Sequence, residues 1–305
     1  MFTARNKGRF AVTATVVGAS LALAGCASGD PLDPGTGAGD ANNDSTIIVG
    51  SQSYYSNEII AEIYAQALEE AGFEVERNFN IGQREAYMPA IVAGEVDLFP
   101  EYTGNLLQYF APDTAATASD EVYAELAGAL PEGLQVLDQS SATDQNSYNV
   151  TAEFAEANGL ESIADLAGLP DLVIGGNPEL EERAYGPAGL SEVYGVDVSF
   201  QPTGETTVES LLAGVINIAN VYTADPRMGQ FNLVTLADPE GLFLASHVVP
   251  VASSDLPQEA IDLINKISAA LTPEGLVALN VISTVDQQSA PVIAERWLTE
   301  NGFIN

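Results

Sequence analysis

The sequence predicts an α/β protein with two lobes, each built around its own β-sheet. Three observations indicate this fold class. Short apolar strands alternate with helices along the chain, which is typical of parallel sheets. A thirteen-residue pattern at residues 91–103 recurs without a gap at residues 211–223, 120 positions later. Two extended segments, residues 148–150 and 247–251, read as crossings between lobes, and two crossings form a hinge.

The hydrophobic period separates the elements in chain order and divides them between the lobes. Lobe 1 is predicted to comprise residues 46–147 plus 248–305, and lobe 2 residues 148–247. In lobe 1 we expect strands at 46–49, 73–79, 96–99 and 134–137, and helices at 55–71, 83–93, 102–110, 121–130, 258–270, 273–285 and 290–301. In lobe 2 we expect strands at 172–174, 198–200, 218–221 and 233–236, and helices at 188–194 and 207–213.

The repeated pattern carries the first functional indication. Each copy reads as a helix end, an Ala-Gly stop, an apolar strand and Tyr-Thr, and glycine supplies the left-handed turn that ends a helix. Ligands in open α/β sheets bind beyond the carboxyl ends of the strands. Facing sheets would therefore bring Tyr102 and Tyr222 into one cleft. The alternative is a chance match, because a helix, Ala-Gly and a strand are common in α/β proteins.

The N-terminal residues indicate export. Residues 1–25 carry three basic residues and then an uncharged apolar run, which is typical of a secretory signal peptide. The following Cys26 is the single cysteine, and its context resembles the lipobox of bacterial lipoproteins. Residues 26–45 read as a flexible tether. We expect an extracytoplasmic protein that is held at the membrane by a lipid on Cys26 alone.

Composition excludes some classes of function. The chain has 9 Lys and Arg against 43 Asp and Glu and a net charge of -34, so it offers no basic face for nucleic acid. Most of these acidic residues are interpreted as a solvated surface. The single histidine provides no pair of zinc ligands, and the sequence has neither a Gly-x-Ser-x-Gly elbow nor a P-loop. We therefore expect no catalytic residues, no metal site and no cofactor.

Several motifs together resemble a known family. They are Gly50-Ser51-Gln52, the run Gly-Glu-Val-Asp-Leu-Phe-Pro-Glu-Tyr-Thr-Gly at 94–104, Asn146-Ser147-Tyr148, residues 178–183 with Gly189-Leu190, and residues 221–227. The chain from residue 46 to 304 resembles the substrate-binding lipoproteins of ABC importers for osmoprotectants, such as glycine betaine, choline and carnitine. The resemblance implies the two-lobed periplasmic-binding-protein fold, of the type II-like arrangement.

The resemblance also implies a binding site. Tyr102, Tyr148 and Tyr222 match positions where the family places an aromatic cage for a quaternary ammonium group, whose diffuse charge suits π-faces. Gln52 and Asn105 stand where betaine-binding members often have lysine and threonine. Arg183 keeps the position of a ligand-contacting arginine. Its alternative role is a surface partner for Glu179 or Glu182.

One family tyrosine, just before the return strand, is absent. His247 stands near its place and is interpreted either as a ligand contact or as a buried, hydrogen-bonded histidine. Tyr54 or Tyr55 could supply the missing wall, and Tyr55 is the residue we assign to the site.

These observations predict a monomeric binding subunit, not an enzyme, whose partners are a small quaternary amine and an ABC permease. The alternatives are a lipoprotein of the same shape for an amino acid or ectoine, a surface-anchored enzyme, and an adhesin.

Overall fold

The computed structural model describes residues 46–305. The predicted signal peptide, Cys26 and the tether lie outside these residues. The strands of the described part are β1 Ile47–Gly50, β2 Val75–Asn78, β3 Leu98–Tyr102, β4 Leu134–Val136, β5 Asn146–Thr151, β6 Val173–Gly176, β7 Ser199–Pro202, β8 Ile218–Tyr222, β9 Leu233–Thr235 and β10 Val248–Ser253.

The α-helices of the same residues are α1 Tyr55–Glu70, α2 Arg84–Val92, α3 Thr103–Phe110, α4 Ser119–Ala129, α5 Ala152–Asn158, α6 Pro187–Tyr194, α7 Thr207–Leu212, α8 Arg227–Gln230, α9 Gln258–Ala270, α10 Pro273–Thr284 and α11 Ala290–Glu300. Three short 3-10 helices are added at Ile163–Leu166, Pro178–Glu182 and Gly204–Thr206. Most predicted elements are present within one to three residues, whereas α5 and α8 were not predicted.

The strands form two five-stranded sheets of matching layout. Sheet 1 has the order β2-β1-β3-β10-β4, and sheet 2 has the order β7-β6-β8-β5-β9. The third position of each sheet is therefore held by a strand of the repeated pattern, β3 or β8. Tyr102 and Tyr222 are the last residues of these two strands.

The sheets are parallel in part, as the alternation of strands and helices predicts, but each also contains one antiparallel strand. β10 runs antiparallel to β3 and β4, and β5 runs antiparallel to β8 and β9. The direction of each antiparallel strand follows from the edge of the sheet at which the chain arrives after it crosses between the lobes. The first residue of β10 pairs with Tyr102, and the first residue of β5 pairs with Tyr222. Each strand thus starts at the cleft edge of its sheet and runs away from it.

The crossings lie just before these two strands. Residues 148–150 are inside β5, and residues 248–251 are inside β10, so the chain passes between the sheets slightly earlier than predicted. The two passages contact each other, because the Val248 amide donates to the Ala142 carbonyl at 2.9 Å and Thr143 bridges His247. The division of the lobes at 147/148 and 247/248 stays a prediction.

Glycine has the predicted role at the start of both repeated strands. Gly94 follows α2 with a φ of 73°, and Gly214 follows α7 with a φ of 69°. A side chain at either position would meet nothing within 4 Å, so the left-handed backbone is the reason for glycine.

Apolar clusters fill both faces of each sheet. The largest packs α1, α9, α10 and α11 against sheet 1, and a second cluster packs α2, α3 and α4 on the other face. Sheet 2 is covered in the same way by two further clusters. Within residues 46–305 no single helix is long and apolar enough to cross a membrane. Counted together, α9 and α10 reach that length and apolar composition, but the two helices are bent by 89°.

Candidate functional site

The two repeated tyrosines line one cavity between the sheets. The cavity measures about 20 Å³ and takes residues from both lobes, namely Gln52, Gln83, Arg84, Tyr102, Asn105, Asp144, Asn146, Arg183, Tyr185 and Tyr222. This space is enough for one or two waters. A trimethylammonium group is larger, so the lobes or their side chains must move to admit one.

A wider groove of about 560 Å³ runs beside this cavity. Tyr54, Tyr55 and Tyr222 line it, together with Asp225 and Arg227. The Tyr54 ring lies 4.9 Å from the Tyr222 ring between centroids, and 4.8 Å from the Tyr55 ring. Tyr54 thus contacts a tyrosine of the other lobe, while Tyr55, the residue assigned from the sequence, lines the groove and not the small cavity.

A polar cluster closes the cavity on another side. Tyr185, which the sequence did not indicate, is central to it. The Asn105 amide donates to the Tyr185 hydroxyl at 3.0 Å, and the Asn146 amide and Arg183 donate to the same oxygen at 3.4 Å and 3.3 Å. Since Asn105 belongs to lobe 1 and Tyr185 to lobe 2, this cluster joins the lobes across the cavity.

Arg183 lines the cavity and also pairs across the lobes. Its guanidinium donates to the Glu85 carboxylate at 2.9 Å, and Glu85 lies on α2 of lobe 1. The partners proposed from the sequence, Glu179 and Glu182, are not its ion-pair partners here. The Nε atom of Arg183 is buried without a hydrogen-bond partner among residues 46–305, so one donor remains for a ligand.

Gln52 and Tyr102 share a common support. Asn57 accepts a hydrogen bond from the Gln52 backbone at 2.9 Å and donates to the Tyr102 hydroxyl at 3.4 Å. The Tyr87 hydroxyl lies 3.5 Å from Gln52 but donates to Glu101 at 2.6 Å. The side-chain amide of Gln52 is consequently available to the cavity that it lines.

A buried ion pair lies behind Tyr102, and sequence reasoning missed it. Arg84 donates to both carboxylate oxygens of Glu101 at 2.7 and 2.8 Å, and Glu101 also accepts the Tyr102 amide at 2.7 Å. Glu101 is fully buried. Burial opposes the charge of Arg84, but the Glu101 carboxylate holds the pKa of Arg84 well above its usual range. The pair fixes the end of β3 and hence the position of Tyr102.

Asp144 is the one acidic residue among those lining the cavity, and the sequence did not single it out. It lies in the crossing that leads to β5 and is 2% exposed. Burial raises the pKa of its carboxyl from 3.8 to about 7.

Two residues assigned from the sequence lie away from the cavity. Tyr148 is fully buried in the core of lobe 2, where its ring packs on Phe243 and its hydroxyl donates to the Tyr185 carbonyl. It therefore supports Tyr185, and Asn146, two residues earlier on the same face of β5, reaches the cavity instead. His247 is half-buried with its Nδ1 atom 3.0 Å from the Ser140 carbonyl, which favours the hydrogen-bonded alternative.

The arrangement of the two lobes around the cavity defines a class of protein. Two α/β lobes, joined by adjacent crossings, enclose a cavity that is lined by aromatic and hydrogen-bonding groups from both. No group of three or more His, Cys, Asp or Glu residues within 46–305 is placed to hold a metal ion. These are the features of a two-lobed solute-binding protein.

Comparison with known proteins identifies the family. Residues 45–300 match the OpuAC family, described as the substrate-binding domain of the ABC-type glycine betaine transport system, and the chain belongs to this family. It is 25% identical over 279 residues to the glycine betaine-binding protein YehZ of Escherichia coli, covering 85% of this chain and 92% of the relative. It is also 25% identical over 285 residues to the glycine-betaine-binding protein of Pseudomonas aeruginosa, with 85% and 89% covered.

Solved structures confirm the fold. A glycine betaine/carnitine/choline ABC transporter structure superimposes with a TM-score of 0.69 at 20% identity, covering 85% of this chain and 100% of the other. This superposition confirms the predicted two-lobed α/β fold, and the match to the family model confirms the predicted family.

Proposed function

We propose that this protein binds a small quaternary-ammonium solute, such as glycine betaine or choline, between its lobes and delivers it to an ABC permease. The observation that carries the proposal is the convergence of Tyr102 and Tyr222, the ends of equivalent strands in different sheets, on one cavity. The relatives named above bind glycine betaine.

The chemistry of the cavity fits such a ligand. A trimethylammonium group cannot donate a hydrogen bond, but it is attracted to the faces of tyrosine rings by about 0.5–2 kcal/mol each, most strongly where water is excluded. Tyr102 and Tyr222 line the cavity, and Tyr54 packs against Tyr222 at its edge. Rings from both lobes can meet around the cation only when the lobes are closed, so binding favours closure.

The opposite end of the ligand would meet hydrogen-bond donors. Arg183 has a free buried Nε, and Gln52 and Asn105 present amides at the cavity. These groups suit a carboxylate or a hydroxyl, which are the polar ends of glycine betaine and choline.

The proposal also states that the protein does not alter its solute and that the protein is exported and held at the outer surface of the membrane. The protein would release its solute unchanged to the permease, and the lipid on Cys26, outside the described residues, would tether it. Incubating the mature protein with choline or glycine betaine and recovering either solute altered would argue for the alternative of an enzyme.

Calorimetry tests the binding site. We expect micromolar affinity for choline or glycine betaine, and a loss of about tenfold or more for Tyr102→Ala and for Tyr222→Ala, because each removes a π-face. Tyr102→Phe and Tyr222→Phe keep the ring and should bind far better than the alanine variants. Tyr109→Ala, at a residue 40% exposed on α3, is the control without effect.

Wild-type affinity in either alanine variant would remove the cage assignment. Selective binding of an amino acid or ectoine in a thermal-shift screen, with no response to quaternary amines, would instead favour the alternative solute class.

A further inference from the structure

Asp144 has an unusual position for a carboxylate. One of its oxygens accepts the Ala224 amide at 3.0 Å. The other, Oδ2, is buried and has no hydrogen-bond partner of normal geometry among residues 46–305. The Tyr54 and Ser56 hydroxyls lie close enough to lower the pKa of Asp144 as hydrogen-bond donors, but neither makes a hydrogen bond of normal geometry. A carboxyl oxygen at the wall of a ligand cavity is thus only partly compensated for its burial.

The cations near this cavity are already paired with other carboxylates. Arg84 binds Glu101 and Arg183 binds Glu85. Arg227, in the neighbouring groove, binds Asp225 at 2.7 Å.

The groups that face Asp144 come from three elements packed around it. They are Tyr54, Ser56 and Tyr55 at the start of α1, Tyr102 at the end of β3, and Tyr222 and Asp225 at and after the end of β8.

The surroundings of Asp144 therefore disfavour its charge in the unfilled cavity. Burial contributes most, and Asp225 adds repulsion, so the pKa of Asp144 rises to about 7. The Ala224 amide, Tyr54 and Ser56 counteract this only in part. A permanent cation entering the cavity would reverse the balance, since a nearby positive charge stabilises the ionised carboxylate.

We propose that Asp144 is the counter-ion for the cationic head of the ligand, so that binding of a quaternary ammonium is coupled to ionisation of this carboxyl. The inference rests on the proposed function and deepens it, because it assigns the recognition of charge, as distinct from methyl surface, to one residue. Tyr102 and Tyr222 line the same cavity and would supply the π-faces around the cation.

Proton release from the wild-type protein gives the first test and needs no variant. Calorimetric titration with choline at pH 7, in buffers of different ionisation enthalpy, should show about half a proton released per ligand bound, because a carboxyl of pKa about 7 is half protonated there. At pH 9 the release should vanish, and affinity should fall as the pH is lowered from 8 to 5.5. Binding at pH 7 with no proton released would overturn the proposal.

Charge recognition is tested with uncharged isosteres. The probes are choline and 3,3-dimethylbutanol, which has the same shape with carbon in place of nitrogen. Asp144→Asn keeps an oxygen for the Ala224 amide and removes the charge. We expect the preference of the wild type for choline over the isostere to shrink about tenfold in Asp144→Asn at pH 8. Proton release at pH 7 should disappear in the same variant.

Asp138→Asn is the matched control, since it removes a negative charge from an exposed residue of the same crossing. It should keep both the preference and the proton release. An unchanged preference in Asp144→Asn overturns the inference while leaving the proposed function in place. Failure of the wild type to bind either choline or glycine betaine removes both, and the wild-type titration alone reveals that outcome.

Discussion

At the scale of single residues, the candidate site combines residues that the sequence pattern indicates with residues that are recognisable only from the fold. Tyr102 and Tyr222 stand out because they end equivalent copies of a repeat. Asp144 does not stand out in the sequence, because it is one of 43 Asp and Glu residues and belongs to no motif. Only its burial in the fold distinguishes it. Tyr185 is likewise recognisable only once Asn105 and Asn146 are seen to converge on its hydroxyl.

Asp144 also predicts a dependence of stability on pH. Its carboxyl has a pKa of 3.8 when solvated and about 7 in the fold, so the folded state holds this proton more tightly than the unfolded state. The contribution to stability is therefore greatest below about pH 4 and is lost as the pH rises to 7. The full difference corresponds to roughly 4 kcal/mol. Less is expected, because opening of the lobes hydrates the group without unfolding.

Asp144→Asn should consequently raise the unfolding free energy of the ligand-free protein at pH 8 by ~1–3 kcal/mol. Denaturant unfolding at pH 8 and at pH 5 measures it, and the gain should be smaller at pH 5. Asp138→Asn serves again as the exposed control. A loss of stability at pH 8 would show that Asp144 is held by a partner that stabilises its charge.

At the scale of elements, the repeat predicts the two strands that matter most. β3 and β8 occupy the same position in their sheets, and the Ala-Gly stop before each sets where the strand begins. The short helices α5 and α8 were not predicted. The sequence does contain the start and stop residues of α5, because Thr151 caps its first turn and Gly159 ends it in the left-handed conformation. A helix of seven residues is, however, too short to show a clear hydrophobic periodicity.

The glycine stops can be tested directly. Gly94→Ala and Gly214→Ala should each lower the unfolding free energy by ~1 kcal/mol, because alanine is strained at the positive φ of these turns. Gly128→Ala, within α4 and with open space around it, should instead be neutral or stabilising by up to ~1 kcal/mol. Equal effects at all three positions would contradict the role assigned to the turns. Affinity should change little in any of them.

At the scale of the whole molecule, the alternation of strands and helices predicts an α/β fold, and the repeat and the two crossing segments predict its division into two lobes. The alternation could not predict the antiparallel strand in each sheet, because strand direction depends on which edge the crossing chain reaches. Nor could it predict how the lobes meet. That depends on side chains far apart in sequence, such as Glu85 with Arg183 and Asn105 with Tyr185, which lie 98 and 80 residues apart.

The Glu85–Arg183 pair should influence the opening of the lobes. Glu85→Gln removes one attraction across the cleft and leaves the cavity lining intact. Because Glu85 is 47% exposed, the pair contributes at most ~1 kcal/mol, so affinity should fall by no more than about fivefold. Interlobe fluorescence transfer in the ligand-free protein should shift towards open conformers. Glu300→Gln, which breaks an exposed pair within α11, should leave the distribution unchanged.

We propose that phenol rings from both lobes surround a permanent cation. A crystal structure of the mature protein with choline or glycine betaine tests it most directly. We expect the quaternary nitrogen within about 6 Å of the ring centroids of both Tyr102 and Tyr222. A ligand bound elsewhere, or held by one lobe with the second tyrosine turned away, would contradict the account.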